Sequence, residues 1–345
     1  MAALSAFRAG IGRVNRSPLI LMGMFLVTLL IALPLSLALR GMLSAHLGRS
    51  LAADAAAAGA NYEWWQEFSA SASGLGTTFA PTIIGFGAVL DSVGGLMDNL
   101  PLATTIAGAT IAWMIIWSFL SGGVLDRYAR NRPTRTAGFF AACGTHFWRF
   151  LRLAVVGWLV YLLLFSVLHS WIFDFGYQTL TRDVTVERQA FAIRTIGYLL
   201  FGAALLLCSM VFDFARVRIV VEDRRSAVGA LAASLRFVRR NLSAVVLLYL
   251  LNGAVLLVLL AAYAIVGRSG PKSGWQMWAV LLAGELYILA RHYLKLLFYA
   301  SQTALFQSAL AHAEYTAAPT LVWPDSPAVE AVVNADPPGR GHEVT

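Results

Sequence analysis

Six apolar runs, separated by charged segments, dominate the hydropathy pattern of the chain. Each run can cross the roughly 30 Å of a hydrocarbon core as a helix, which takes about 20 residues. The runs lie near residues 17–39, 102–124, 152–173, 194–213, 243–266 and 276–298. This pattern predicts an all-α, polytopic membrane protein with about six transmembrane helices.

The segment between the first two runs, residues 40–101, is too long for a turn and too apolar for a solvated loop. It carries a Trp-Trp pair at 64–65 and a Gly-rich apolar stretch at 75–100. Aromatic residues and amphipathic helices favour the headgroup level of a bilayer, whereas Asp91 and Asp98 would be costly in hydrocarbon. We expect an external interfacial or re-entrant helical hairpin here, with a seventh full span as the alternative.

The composition agrees with a membrane protein, because 59% of the residues are hydrophobic and only 13% are charged. The net charge of +8 comes almost entirely from arginine, which clusters in three segments. Segments 1–16, 125–152 and 214–240 together hold 16 Lys and Arg residues, and the alternate loops hold seven. By the positive-inside rule the Arg-rich segments face the cytoplasm, which places both ends of the chain there.

These charges predict the protein's surroundings as well as its orientation. We expect the bacterial inner (cytoplasmic) membrane, with anionic lipid headgroups binding the cytoplasmic arginines, and no nucleic acid. Residues 312–345 contain five prolines and two glycines that interrupt any helical period. We therefore predict a membrane domain over 1–311 and a disordered cytoplasmic tail over 312–345.

The second and third Arg-rich segments look like two copies of one unit. Each has an aspartate with an arginine one helical turn later, Asp126 with Arg130 and Asp213 with Arg216, and then an amphipathic stretch. Aligned without a gap, Gly138, Ala141, Ala142, Arg149, Leu151 and Trp158 correspond to Gly229, Ala232, Ala233, Arg240, Leu242 and Tyr249. This predicts two parallel pseudo-repeats of span, interfacial elbow helix and span. The aspartates either neutralise the interfacial arginines or form a gate for a lipid headgroup or substrate.

A family resemblance rests on the stretch from Gly122 to Gly144, together with the Trp-Trp pair at 64–65 and residues 81–86. These resemble uncharacterised bacterial six-helix membrane proteins. More loosely, the elbow from Asp213 to Asn241 resembles the membrane-anchor domain found beside glycerophosphodiester phosphodiesterases. The resemblance implies a helical membrane fold and no transferable chemistry, since the phosphodiesterase domain itself is not matched.

The sequence contains none of the motifs for zinc, nucleotide or nucleophilic catalysis, and its six histidines are scattered. We therefore predict no catalytic, cofactor or metal site and no enzyme. The strongest polar candidate is Glu285, near the middle of the last run, with His292 and Lys295 further along the same stripe. Tyr299 and Gln302 extend this stripe.

Two interpretations of the Glu285 stripe remain open. It is part of an ion or substrate pathway, or it is a hydrogen-bonded latch that fastens the last helix, which we favour. Possible partners on other helices are Asn252, Tyr263 and Ser209. For the whole protein we rank first a scaffold or accessory subunit with a protein partner in a membrane complex. A lipid or small-solute transporter using the interface between the repeats comes second, and an intramembrane enzyme third.

Overall fold

The computed structural model describes residues 2–58, 61–79, 93–100, 104–266 and 274–317, and all regular structure in them is helical. The predicted all-α class is therefore confirmed. The helices are α1 (Ala2–Asn15), α2 (Pro18–Leu47), α3 (Ala53–Ala58), α4 (Tyr62–Ser71), α5 (Thr104–Arg130), α6 (Thr136–Thr181), α7 (Glu187–Val221), α8 (Ala227–Arg240), α9 (Leu242–Val266) and α10 (Trp275–Ala317).

Four of these helices, α2, α6, α7 and α9, are long and apolar enough to cross a membrane. They contain the first, third, fourth and fifth of the predicted apolar runs. Residues 104–124 of the second run lie in α5 and the sixth run lies in α10, and as spans both stay predictions. The first span begins with Pro18, a favourable helix-start residue, and continues as helix through Pro34.

The two predicted elbows differ in form. The first is continuous with the span that follows it, because α6 runs without a break from Thr136. The second is the separate helix α8, whose N-cap Ser226 accepts a hydrogen bond from the Gly229 amide at 3.1 Å. Helix α8 ends before Asn241, and α9 begins at the next residue.

The tightest packing lies toward the end of the bundle where α5 and α7 terminate and α10 passes. Tyr128, Phe214 and Phe306 are fully buried there. Elsewhere large apolar side chains are exposed along the helices, for example Leu199 and Val258 at 69% each. Such extended apolar surface is unfavourable in water and is typical of helices that face lipid or another protein.

Helix α4 and Phe79 of the predicted external segment pack against the end of α2, whereas residues 97–99 of this segment contact α6 and α7. His46 on α2 makes edge contacts with Trp64 and Phe68 of α4, and Phe79 contacts both of these aromatic rings. Residues 80–92 of the predicted hairpin lie outside the described residues. The choice between a re-entrant hairpin and a seventh span therefore stays open.

The chain divides into two units, Met1–Phe306 and Gln307–Thr345. In the second unit, the described residues 307–317 are helical. The predicted tail begins at 312, so all of it beyond Ala317 lies outside the described residues.

Helix α1 approaches α10 closely at Gly10. A Cβ atom added there would lie 2.8 Å from Cβ and 2.9 Å from the backbone nitrogen of Ser301. Backbone atoms on a buried helix cannot yield as a flexible side chain can. Gly12, on the same helix, has nothing within 4 Å of its would-be Cβ atom.

We expect Gly10→Ala to destabilise the protein by about 1–3 kcal/mol, because the added methyl group overpacks the contact between α1 and α10. The matched control Gly12→Ala should be neutral or stabilising by up to about 1 kcal/mol, since alanine favours helix. Unfolding of the purified chain in detergent measures both changes. Equal effects from the two substitutions would contradict the close approach.

Candidate functional site

A cluster of hydrogen-bonded polar side chains joins four helices, and we call it the polar network. Its members are Trp117, Asp213, Arg216, Tyr249, Tyr299 and Gln302. They come from α5, α7, α9 and α10. Polar groups among apolar helices are costly unless they find partners, so this cluster constrains how the four helices pack.

Asp213 on α7 is the centre of the polar network. Its Oδ2 accepts hydrogen bonds from the Tyr249 hydroxyl at 2.6 Å and from Gln302 Nε2 at 3.2 Å. Its Oδ1 accepts from Arg216 Nη1 at 3.1 Å. Both carboxylate oxygens are thus occupied by donors from three helices, α7, α9 and α10.

Arg216 extends the network to α5. Its Nη1 also donates to the Tyr299 hydroxyl at 3.1 Å, and the indole nitrogen of Trp117 donates to the same hydroxyl at 2.9 Å. Lys295 Nζ lies 3.5 Å from the centre of the Trp117 ring, which is a cation–π geometry. Two cationic groups therefore flank Trp117 and Tyr299, and Asp213 supplies the counter-charge to Arg216.

Helical spacing explains how α10 contributes several groups to one place. Lys295, Tyr299 and Gln302 follow each other at four and three residues, so their side chains share one face of the helix. On α7, Asp213 and Arg216 are likewise one turn apart.

A cavity of about 380 Å³ adjoins the polar network between α5, α6 and α7. Its wall includes Asp213 and Arg216, whose side chains are 22% and 33% exposed. Tyr161 of α6 and Ser209 of α7 also line it and share a hydrogen bond of 3.0 Å. Ser118 and Ser121 of α5 add two hydroxyl groups, and most other lining residues are apolar or aromatic, which is a composition typical of a site for a small amphiphilic molecule.

The structure forms both acid–arginine pairs that the sequence suggested. Arg130 Nε donates to Asp126 Oδ1 at 2.9 Å, and the pair Asp213–Arg216 lies within the polar network. The two environments differ, because the side chain of Arg130 is 61% exposed and that of Arg216 only 33%.

Glu285, His292 and Lys295 do not meet in one site. His292 Nε2 lies 3.0 Å from the Thr28 hydroxyl of α2, and Lys295 lies over Trp117. Among the described residues, Glu285 makes no hydrogen bond or ion pair. A functional or latch role for Glu285 therefore stays a prediction.

The suggested partners of Glu285 bind elsewhere. Tyr263 stacks on Tyr287 with ring centres 4.1 Å apart, and Asn252 Nδ2 donates to Ser301 Oγ at 3.3 Å. Ser209 bonds Tyr161. Within the described residues, no three His, Cys, Asp or Glu side chains converge as a metal site.

A second charged cluster lies in the loop between α7 and α8. Arg149 of α6 pairs with Asp223, and Arg218 and Arg224 both pair with Glu222. Burial disfavours the charged form of Glu222, but the hydrogen bonds from the two arginines outweigh it and lower its pKa. The hydrogen bond from Arg149 lowers the pKa of Asp223. The pair Arg149–Asp223 attaches the loop to α6, and the pairs of Glu222 hold the loop against the end of α7.

Sequence reasoning missed two members of the polar network, Trp117 and Tyr249, as functional residues. Tyr249 entered only as the equivalent of Trp158 in the repeat alignment. Trp158 lines the cavity beside Asp213, and Tyr249 bonds Asp213 directly. The alignment was thus a usable signal for Tyr249, whereas nothing in the spacing along the chain marked Trp117.

Comparison with known protein families gives a match. The family described as "Domain of unknown function (DUF7847)" matches residues 136–330, which is more than half of the chain. This stretch includes α6 through α9 and all described residues of α10. Neither the curated proteins nor the solved structures give a match.

We expect Asp213→Asn to destabilise the protein by about 1.5–3 kcal/mol, because it leaves the Arg216 guanidinium without its counter-charge. The double variant with Arg216→Gln should recover part of this loss, since no unpaired charge remains. Tyr161→Phe is the matched control in the cavity wall and should cost about 0.6 kcal/mol. Unfolding in detergent measures all three, and equal losses from Asp213→Asn and Tyr161→Phe would contradict a fastening role.

Proposed function

This chain belongs to the DUF7847 family of domains of unknown function, and we propose that it is a non-enzymatic integral membrane protein that serves as a scaffold or accessory subunit of a membrane assembly. The polar network is the observation that carries this proposal. It fastens α5, α7, α9 and α10 together with fixed partners, as a rigid framework requires.

The membrane placement combines the four apolar helices with the charge pattern. We propose six spans by adding α5 and α10, with the Arg-rich segments and both ends of the chain in the cytoplasm of a bacterial cell. The exposed apolar side chains along α2, α6, α7 and α9 support this placement, because a bilayer is the solvent that suits them.

We also propose that the two halves are pseudo-repeats. The pair Asp126–Arg130 lies at the end of α5, and the pair Asp213–Arg216 lies in the C-terminal half of α7. Asp213 and Arg216 are bonded to other helices through the polar network, whereas Asp126 pairs with Arg130 on its own helix. The repeats therefore serve as a packing framework in which the second pair joins helices.

The scaffold proposal is favoured over a transporter by the way Asp213 is held. A substrate pathway requires polar groups that exchange partners as the substrate passes. Both oxygens of Asp213 are already occupied by protein donors, and Arg216 bridges to a second helix through Tyr299. Such a network stabilises one arrangement of helices.

The cavity beside Asp213 favours a second candidate function, a lipid or small-solute transporter that uses the interface between the repeats. The cavity lies between α5 and α6 of the first proposed repeat and α7 of the second. Its volume of about 380 Å³ suits a small ligand. Glu285 is not part of its wall.

Topology can be tested by cysteine labelling in a background with Cys143→Ala and Cys208→Ser. Thr185→Cys, between α6 and α7, should react with a membrane-impermeant maleimide in intact spheroplasts. Arg225→Cys, between α7 and α8, should react only after the membrane is opened. Both positions are exposed, so labelling depends only on whether the maleimide can reach that side of the membrane. The reverse labelling pattern would refute the proposed orientation.

Photo-crosslinking in native membranes can separate the two function classes. A photoreactive amino acid is placed at exposed positions on three helices, Leu30, Trp171 and Leu257, which are 71%, 64% and 62% exposed. A scaffold should give one defined protein adduct in high yield from at least one position, because a partner covers that face. Lipid adducts alone at every exposed position of the bundle would contradict the scaffold proposal and favour the transporter.

A further inference from the structure

A second cavity, of about 450 Å³, lies between the start of α2, the end of α5 and the start of α6. Arg16, Ser17, Arg127 and Thr136 contribute its polar wall. It is separate from the polar network and contains none of its members. Both arginines belong to segments that the charge pattern places at the cytoplasmic surface.

Two polar residues in this cavity wall are buried, and one of them has no hydrogen-bond partner. Arg127 is 8% exposed and Ser17 is 6% exposed. The Ser17 hydroxyl makes no hydrogen bond with any described residue. A buried hydroxyl without a partner costs free energy, so its position in a cavity wall favours a ligand that can bond it.

The charge of the cavity is positive and uncompensated by the protein. Arg127 Nη2 donates to the backbone oxygen of Arg16 at 3.3 Å. In the described part of the chain, neither Arg16 nor Arg127 forms an ion pair with a carboxylate, and the neighbouring Asp126 pairs with Arg130 instead. Two arginines that line the same cavity favour an anion there.

The start of α6 adds to the same preference. Arg135 is the N-cap of α6, and its side chain does not cap the helix. The first amides of a helix have no acceptor within the helix, and the helix dipole makes this end positive. The start of α2 contributes less, because Pro18 has no N–H and the amides of Ser17 and Ile20 donate to backbone oxygens. The uncapped start of α6 beside two arginines is a favourable setting for a phosphate group.

The remaining wall is apolar and identifies the kind of molecule that carries the phosphate. Leu19, Ile20, Phe139 and Phe140 line it. Leu19 is 85% exposed and Phe140 49% exposed, so the apolar side continues onto the outer surface of the bundle. A lipid places its phosphate at the level of the arginines and its acyl chains along such a surface.

We propose that this cavity binds the phosphate headgroup of an anionic phospholipid from the cytoplasmic leaflet, with Arg16, Arg127 and Ser17 as donors. The proposal rests on the membrane placement given under "Proposed function". It adds a specific site to a general attraction of arginines for headgroups.

The test measures the dissociation constant of dioctanoyl phosphatidylglycerol for the full chain in a non-ionic detergent. Arg127→Gln should weaken binding by about tenfold or more, because it removes charge-assisted hydrogen bonds. Arg132→Gln is the matched control, since it removes the same charge from an exposed position in the loop that follows α5. The Arg132→Gln variant should bind the lipid as tightly as the unsubstituted chain does. Equal weakening by the two variants would overturn the site.

Ser17→Ala and Arg16→Gln keep the test valid if Arg127→Gln does not fold. Each should weaken lipid binding severalfold, and unchanged binding in both would overturn the proposal. Dioctanoylglycerol, which lacks the phosphate, should not bind to the site. Binding of sn-glycerol 3-phosphate as tight as that of the lipid would overturn the lipid as the source of the phosphate.

The membrane placement is tested separately by alkaline extraction of membranes. Retention of the chain in the pellet with no difference in lipid binding among the variants overturns the site alone. Release of the chain into the supernatant overturns the membrane placement. The lipid titration in detergent then still tests the phosphate site.

Discussion

A charged group between apolar helices must find a partner, and this constraint governs the described bundle. Asp213 satisfies it with donors from three helices, and Arg216 continues the connection through Tyr299 to Trp117 on a fourth. Contacts between aliphatic side chains discriminate only weakly between registers of two neighbouring helices, because these side chains are similar in shape and carry no directional bonds. Directional hydrogen bonds to a carboxylate allow only one register. The arrangement of α5, α7, α9 and α10 therefore depends on this network.

At the start of α2, by contrast, buried polar groups do not find all their partners within the protein. Arg127 and Ser17 are buried, yet the described residues supply no carboxylate for Arg127 and no hydrogen-bond partner for the Ser17 hydroxyl. The carboxylate of Asp213 thus finds its donors within the protein, whereas the cavity at the start of α2 leaves donors for a molecule outside it. The first supports the proposed framework, and the second supports the proposed attachment of that framework to lipid at one surface.

The sequence predicted the acid–arginine pairs well and the intramembrane site less well. Asp213 with Arg216 and Asp126 with Arg130 are one turn apart, so local helix geometry was enough to bring them together. The partners of the residues from Glu285 to Lys295 could not be predicted without knowing which helices face α10. Its far end, Tyr299 and Gln302, joins the polar network, whereas His292 bonds Thr28 on α2.

Hydropathy and arginine placement by themselves determined the helical class, four apolar helices that match predicted runs, and the pairs within single helices. These are local properties, fixed by the 3.6-residue period and the side chains that share a turn. Only the tertiary structure decided that Tyr249 and Trp117 contribute to the network around Asp213 and Arg216, and that Arg127 has no carboxylate partner within the described residues. Contacts between residues far apart in the chain depend on how whole helices pack, and no short window of sequence contains that information.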